Sequence, residues 1–374
     1  VGCEAFASDL NPVACLILRV MLEDIPRHGP DLAEELRRIG AEIKREAEKE
    51  LADLYPKDPD GGTPIAYLWA RTVRCESPNC GAEIPLVRSL WLSKKASRRR
   101  ALRHHVERFT GLPPRAEFEV FGPQSEEDVP AGTVTRAKAT CCCCGVVLPP
   151  ERVRTQLAAQ RGGADVAFDA KGHRTGGARL LAVVTLTPGE TGRHYRPPVA
   201  RDYEAVRKAQ ERVAKILEDW ERGGKQGLCP VPDELMNPIR PSPNARGLSA
   251  VTRYGMTTFG DLFTARQKVA LVQIARRVRE LPPCGRAVPE LMAFVLDKLA
   301  DKASSGCRWK PSAEYMAGNT FSRQALPMVW DFCEAYPFGA ESGSVTQELA
   351  WVAKVVDSWP RSPQGQLEIA DATA

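Results

Sequence analysis

The most constraining feature of this 374-residue chain is a pair of cysteine-bearing turns. One reads Cys75-Glu-Ser-Pro-Asn-Cys80-Gly81; the other is a run of four cysteines, Cys141 to Cys144, followed by Gly145. Short apolar stretches that read as strands flank them, residues 65–73 and 84–92 around the first and 118–121 and 132–139 ahead of the second. The last two stretches are expected to pair with each other. Two thiolate hairpins facing each other supply the four soft, tetrahedral ligands that zinc takes. A glycine after the last cysteine of each turn permits positive φ, which lets backbone amides turn toward the sulfurs. The expected ligand set is Cys75, Cys80, Cys141 and Cys144, which gives the second pair C-x-x-C spacing and makes a zinc ribbon. The run leaves the register open to Cys142 or Cys143, and the first pair is a wider C-x4-C. His104 and His105 are possible substitutes, unneeded while four thiols are at hand, and the competing reading is a set of free cysteines in loops. Four thiolates close the coordination shell, so such a zinc is structural.

Twelve cysteines in a chain this long do not make a disulfide-rich miniprotein. Their clustering points to metal and a reducing compartment, and so to the cytoplasm. Hydrophobic residues at 43% and charged residues at 26% suit a globular domain. No stretch approaches the roughly 20 apolar residues of a membrane span. The net charge of +5 is modest but uneven, since residues 88–108 hold eight Lys or Arg against one Glu. Here Lys94, Lys95, Arg98, Arg99 and Arg100 follow Trp91, a basic loop with an aromatic beside it that suits phosphate contacts on nucleic acid. A solvated charged loop is the plainer alternative.

The helical periodicity is clearest over residues 31–55, where Leu32, Leu36, Ile39, Ile43, Ala47, Leu51 and Leu54 form one stripe ending at Pro56. Further helices are expected over residues 151–160, 202–220, 264–281, 291–299, 324–332 and 345–359, and a strand over 178–186. Thr264 with Gln267 has capping-box spacing. Cys229, Cys284, Cys307 and Cys333 are scattered and read as buried apolar residues. Asn319 and Arg323, in Asn-Thr-Phe-Ser-Arg-Gln, are side chains able to read base edges, and are equally ordinary capping and surface residues.

The opening residues, VGCEAFASDLNPV, read as a strand tipped by Asp9, then a turn and a helix. That is a βα step of a nucleotide-binding sheet, in which the acid accepts ribose hydroxyls and Leu10 covers an adenine. The same pattern also arises when Asp merely caps a helix. The closing residues, QLEIADATA, read as another strand tipped by Asp371. Both ends therefore read as cuts through one sheet, and the chain as an internal stretch of a longer protein.

Taken in order, GCEAFASDLNPVA, the C-x4-C-GAEIPLVRSLWLSKK segment, the C-x-x-C-G knuckle, RYGMTTFGDLFTARQ, CRW, NTFSRQALPMVWDFCEAYPF and LEIADATA resemble the adenine-specific DNA methylases that carry an internal zinc ribbon. The resemblance spans essentially the whole chain. It implies an α/β protein: a partial Rossmann-like, S-adenosylmethionine-dependent methyltransferase sheet interrupted by a zinc-ribbon insertion and a helical segment. The expected divisions are residues 1–60 for the start of the core, 61–150 for the ribbon with its basic loop, 151–250 for a mixed insertion and Pro/Gly-rich linker, and 251–374 for the helical segment returning to the core. By resemblance, Asp9 holds the cofactor ribose, Leu10 packs on its adenine and Asp371 lies near the adenine amine. The family's glycine-rich loop would precede Val1 and its Asp-Pro-Pro-Tyr motif would follow Ala374. The implied activity is transfer of a methyl group from S-adenosylmethionine to adenine N6 in double-stranded DNA, as in restriction–modification, with the stretch in hand inactive by itself. The alternative is a non-catalytic zinc-ribbon nucleic-acid-binding protein. A nicotinamide-dependent oxidoreductase would explain the Asp-tipped strand but not the ribbon.

Overall fold

The computed structural model describes residues 5–237, 250–282, 286–322, 325–360 and 362–370. The chain groups into two compact units, one of Val1–Glu50, Leu271–Ala300 and Pro337–Ala374, the other of Leu51–Ala270 and Asp301–Tyr336. Among the described residues no helix is long and apolar enough to cross a membrane.

In the first unit, strand Phe6–Ser8 pairs in parallel with strand Gln366–Glu368, in the register Phe6↔Gln366, Ala7↔Leu367 and Ser8↔Glu368. Helix Pro12–Arg19 follows, its N-cap Asn11 accepting the Val13 N–H at 2.9 Å, with Pro12 at a first-turn position that needs no donor. The periodic stripe becomes helix Asp31–Glu50, which buries Leu32, Leu36, Ile43 and Ala47. Ile39 lies at its margin, and the expected last turn, which falls in the second unit, tightens to a 3-10 turn, Ala52–Leu54. Helix Val345–Ser358 packs against helix Asp31–Glu50 so closely that a Cβ on Gly40 would stand 2.6 Å from Leu349 Cδ1. Among the described residues, the parallel order expected of a nucleotide-binding sheet is represented by the Phe6–Ser8/Gln366–Glu368 pair. A Rossmann-like arrangement is not seen among the described residues.

The second unit is built on a four-stranded antiparallel sheet in the order His194–Arg196, Arg179–Leu186, Thr63–Ala70, Asp331–Ala335. Its two middle strands are apolar along nearly their whole length, the signature of strands covered on both faces. Helix Ala265–Arg279 begins in this unit behind the predicted capping box: Thr264 N–H donates to Gln267 Oε1 at 2.9 Å and Gln267 N–H to Thr264 Oγ1 at 3.3 Å. Its first turn carries Arg266 into the core beside Glu334 of the edge strand, each side chain 1% exposed. Arg266 Nε and Nη2 donate to the two carboxylate oxygens at 2.8 and 3.0 Å, Trp69 Nε1 donates to Oε2 at 2.9 Å, and the guanidinium lies 3.8 Å from the Tyr67 ring centre.

Two expectations are corrected. The helix expected over 324–332 is not formed by its described residues, 325–332, and Asp331–Ala335 is a strand of the central sheet. Pro327 lacks the donor a helix interior needs and biases Leu326 toward extended backbone. Residues 118–121 do not pair with 132–139 but close a long hairpin, Arg100–Phe109 with Leu112–Phe121, while Val134–Thr135 pairs with Lys138–Thr140. Pro113 and Pro114 conceal this hairpin in the sequence. They are tolerated because their strand is an edge, bonded on one side only.

Replacing Glu334 by Gln strands the Arg266 charge in the core. The expected loss is about 3–5 kcal/mol, read as a fall of roughly 6–20 °C in the unfolding midpoint. Arg266→Met combined with Glu334→Leu restores part of it, which calorimetry of the two variants checks.

Candidate metal centre and its basic surroundings

The first cysteine turn joins strands Thr72–Arg74 and Glu83–Pro85, which pair antiparallel. Cys75 N–H donates to Ala82 O at 2.8 Å, Cys80 N–H to Ser77 O at 3.0 Å, and Gly81 takes φ +65°. The second joins strands Lys138–Thr140 and Val147–Leu148, with Cys141 N–H on Val146 O at 2.9 Å, Gly145 N–H on Cys141 O at 2.8 Å and φ +76° at Gly145. The two knuckles bring the sulfurs of Cys75, Cys80, Cys141 and Cys144 within 4.8 Å of one another. The closest approaches are Cys75 to Cys144 at 3.6 Å and Cys80 to Cys141 at 3.7 Å. A tetrahedral zinc with Zn–S bonds of about 2.3 Å sets its sulfurs about 3.8 Å apart. The four thiols therefore fit a zinc ion, and the cluster could hold one.

Among the four consecutive cysteines the register is Cys141 and Cys144. Cys143 supports the site with its backbone, donating its N–H to Cys141 Sγ at 3.4 Å, and Cys142 lies half-buried. Val73, Ile84, Leu86, Leu148, Val153 and Leu157 pack into one cluster with the knuckles, so the site is anchored in a core of its own. Burial raises the thiols of Cys75 and Cys80. The exposed Cys144 is lowered, first by the Val146 N–H and then by its thiol neighbours. Buried thiols that resist ionisation gain from a divalent cation in their midst, which displaces their protons. Of the other cysteines, Cys307 and Cys333 are buried as expected, Cys229 is only half-buried and Cys284 lies outside the described residues.

The expected basic loop is instead strand Trp91–Ser93, a 3-10 turn Ala96–Arg98 and the start of strand Arg100–Phe109. Its cations make local contacts. Lys94 Nζ is 3.0 Å from Glu126 and 4.9 Å from the Trp91 ring centre. Lys95 reaches Glu314 at 2.8 Å, Arg98 donates to Thr191 O at 3.1 Å, Arg99 to Gln124 O at 2.6 Å and Arg100 to Arg99 O at 2.8 Å. Glu314, buried and held below the usual carboxylate range by Lys95, Ser93 and Tyr195 against its desolvation, anchors the turn. Asn319 donates to the Asp301 carboxylate, and Arg323 lies outside the described residues.

A larger, mixed-charge feature escaped the sequence. A cavity of ≈ 1410 Å³ is lined by the cations Arg74, Arg115, Lys171 and Arg207 and by the acids Glu83, Asp169, Glu204 and Glu211, with Phe109 and Leu112 from the hairpin tip. These cations come from four separate segments, so no local charge run announces the cavity.

Of the residues expected at a cofactor, Asp9 Oδ1 accepts the Asn11 N–H at 2.8 Å, so this carboxylate shapes the turn into the first helix. Leu10 is 63% exposed, and Asp371 lies outside the described residues. No family model, curated protein or solved structure matches the chain.

Cys80→Ser or Cys141→Ser is expected to cut bound zinc from about one ion per chain to near zero and lower the unfolding midpoint by roughly 5–15 °C. Cys142→Ser is expected to retain the metal, which elemental analysis of the purified variants checks. Because the Cys75 and Cys80 thiols are raised, protons compete with the metal. Release to a chromogenic chelator should grow as the pH falls from about 8 to about 5.

Proposed function

We propose that the chain serves an S-adenosylmethionine-dependent, site-specific DNA methyltransferase that acts on adenine N6. The observation that carries this reading is the parallel pairing of strands Phe6–Ser8 and Gln366–Glu368, with the bulk of the chain looped out between them. A sheet split by a long insertion is what the resemblance implies, and both strands lead to an acid in the sequence, Asp9 and Asp371. In this reading Asp9 holds the ribose hydroxyls through the carboxylate oxygen not used by Asn11. Leu10, already exposed, covers one face of the adenine, and Asp371 accepts from its amine. The cofactor supplies the electrophilic methyl group when bound. The chain's own part is positioning, which accounts for much of the rate in transfers of this kind. The zinc has a supporting role: it fixes the fold that carries the DNA-facing residues Lys94, Lys95, Arg98, Arg99, Arg100, Asn319 and Arg323.

A second reading is favoured by one observation. The four cysteines and the cations that line the large cavity all belong to the unit Leu51–Ala270 with Asp301–Tyr336, which holds neither Asp9 nor Asp371. A compact unit of that kind suits a non-catalytic, zinc-stabilised nucleic-acid-binding protein.

The two readings separate by calorimetric titration of S-adenosylmethionine into the complete product of the encoding gene, followed by a search for N6-methyladenine in treated DNA. The methyltransferase binds the cofactor and methylates. Asp9→Ala weakens cofactor binding by about 1.5–3 kcal/mol, roughly 10- to 150-fold, the value of hydrogen bonds to a charged group. DNA binding with neither cofactor affinity nor methylation overturns the enzyme and leaves the binding protein.

A further inference from the structure

We propose that the cleft lined by Trp91 and Trp309 in the second unit seats a single unstacked nucleobase, presented by DNA as an unpaired base. The proposal rests on the DNA-directed reading above for the source of the base, and on geometry for the site. The cleft encloses ≈ 390 Å³, within the range of about 300–1,000 Å³ typical of small-ligand pockets. It is predominantly apolar, lined by three indoles, Trp69, Trp91 and Trp309, and by Phe332, with few polar groups: Arg88, Asp331 and Lys94 chief among them.

The walls are fixed before any ligand arrives. Trp309 donates its Nε1–H to Leu92 O at 2.7 Å and packs edge-on against Tyr195 at 6.3 Å. Lys94 N–H donates to Pro311 O at 3.0 Å, which ties the Trp91 strand to the turn after Trp309. Phe332 is stacked on Trp69, ring centres 6.4 Å apart. Arg88 sits on a segment that cannot shift easily, because Val87 N–H donates to Thr133 Oγ1 at 2.9 Å and a Cβ on Gly132 would meet Arg88 O at 2.4 Å.

The polar groups set a donor beside an acceptor. Asp331 Oδ1 accepts from the Arg88 backbone N–H at 3.3 Å and from its Nε at 3.1 Å; Oδ2 takes part in neither bond. A guanidinium next to a carboxylate matches a base edge that carries an amine next to a ring nitrogen or carbonyl. Indole faces stack any base, whichever edge it shows. Lys94, at the same cleft, lies 3.0 Å from Glu126 and 4.9 Å from the Trp91 ring centre, so a phosphate attached to the base has to draw it from that carboxylate. An aliphatic ligand would leave the Arg88–Asp331 pair unused, and a bare anion would meet the carboxylate.

The test uses fluorescence anisotropy with three duplexes: fully paired, with one bulged adenine, and with a bulged abasic site. Stacking is worth about 1–3 kcal/mol per base, so the bulged adenine should bind roughly 5- to 150-fold tighter than the bulged abasic site. Trp91→Ala should erase that difference, Trp91→Phe should keep part of it, and retained zinc content shows that each variant is folded. Free adenosine monophosphate is titrated in parallel, with tryptophan quenching as the readout. Tighter binding of the monophosphate than of the bulged duplex would overturn DNA as the source of the base. Equal affinity for the adenine and abasic bulges, or a difference that survives Trp91→Ala, overturns the cleft as a base site while the DNA-directed reading stands. Binding to none of the three duplexes sinks that reading itself, and this proposal with it.

Discussion

The larger unit depends on a carboxylate placed where water does not reach. Glu334 lies on an edge strand of the central sheet, and leaving it charged and alone there would cost several kcal/mol. Arg266 answers with two hydrogen bonds and Trp69 with a third, while Tyr67 presents its ring to the guanidinium. Glu334, Arg266 and the Tyr67–Trp69 pair come from three different segments, so strand Thr63–Ala70, strand Asp331–Ala335 and the start of helix Ala265–Arg279 must all be in place together. Hydrophobic burial alone would tolerate a slipped register between these strands. A fully bonded ion pair does not, and it fixes the sheet on which the metal knuckles and the aromatic cleft are mounted.

The cysteine cluster and the basic residues divide the work differently from what a charge run suggests. Lys94, Lys95 and Arg98 to Arg100 spend much of their bonding on the protein: on Glu126, on the buried Glu314 and on backbone carbonyls. A cation held this way gives less to a phosphate than an uncommitted one, because it must first exchange its partner. The cations gathered around the open cavity from separate segments are held in the same manner, Arg115 by Glu117, Arg207 by Glu211 and Arg74 by the Thr175 carbonyl.

What was legible in the sequence was what short-range physics decides. The stripe through Leu32, Leu36 and Ile43, the Thr264–Gln267 cap and the two glycine-ended cysteine turns each carry their instruction within a few residues, and the helices and ligand cluster stand where those signals put them. The strand Asp331–Ala335 was illegible because a short apolar run with one Glu suits a helix as well as a strand. The buried Glu334 is made tolerable by the distant Arg266 and Trp69. The hairpin Arg100–Phe121 was hidden by two prolines that are harmless solely because their strand is an edge. The cavity and the Trp91–Trp309 cleft depend on side chains far apart in the chain, for which local patterning has no signal.

The parallel pair Phe6–Ser8 with Gln366–Glu368 also sets a timetable for synthesis. At roughly 5–20 residues per second, the first strand waits roughly 20–70 s for its partner to be made. During that interval its backbone donors and acceptors are an unpaired edge, the kind of surface that captures strands from other chains. Closing so long a loop in an unstructured chain is entropically unfavourable, and folding of the intervening unit shortens the loop that remains to be closed. Prompt folding around Glu334 and the cysteine knuckles is therefore also what shields the newborn chain from aggregation.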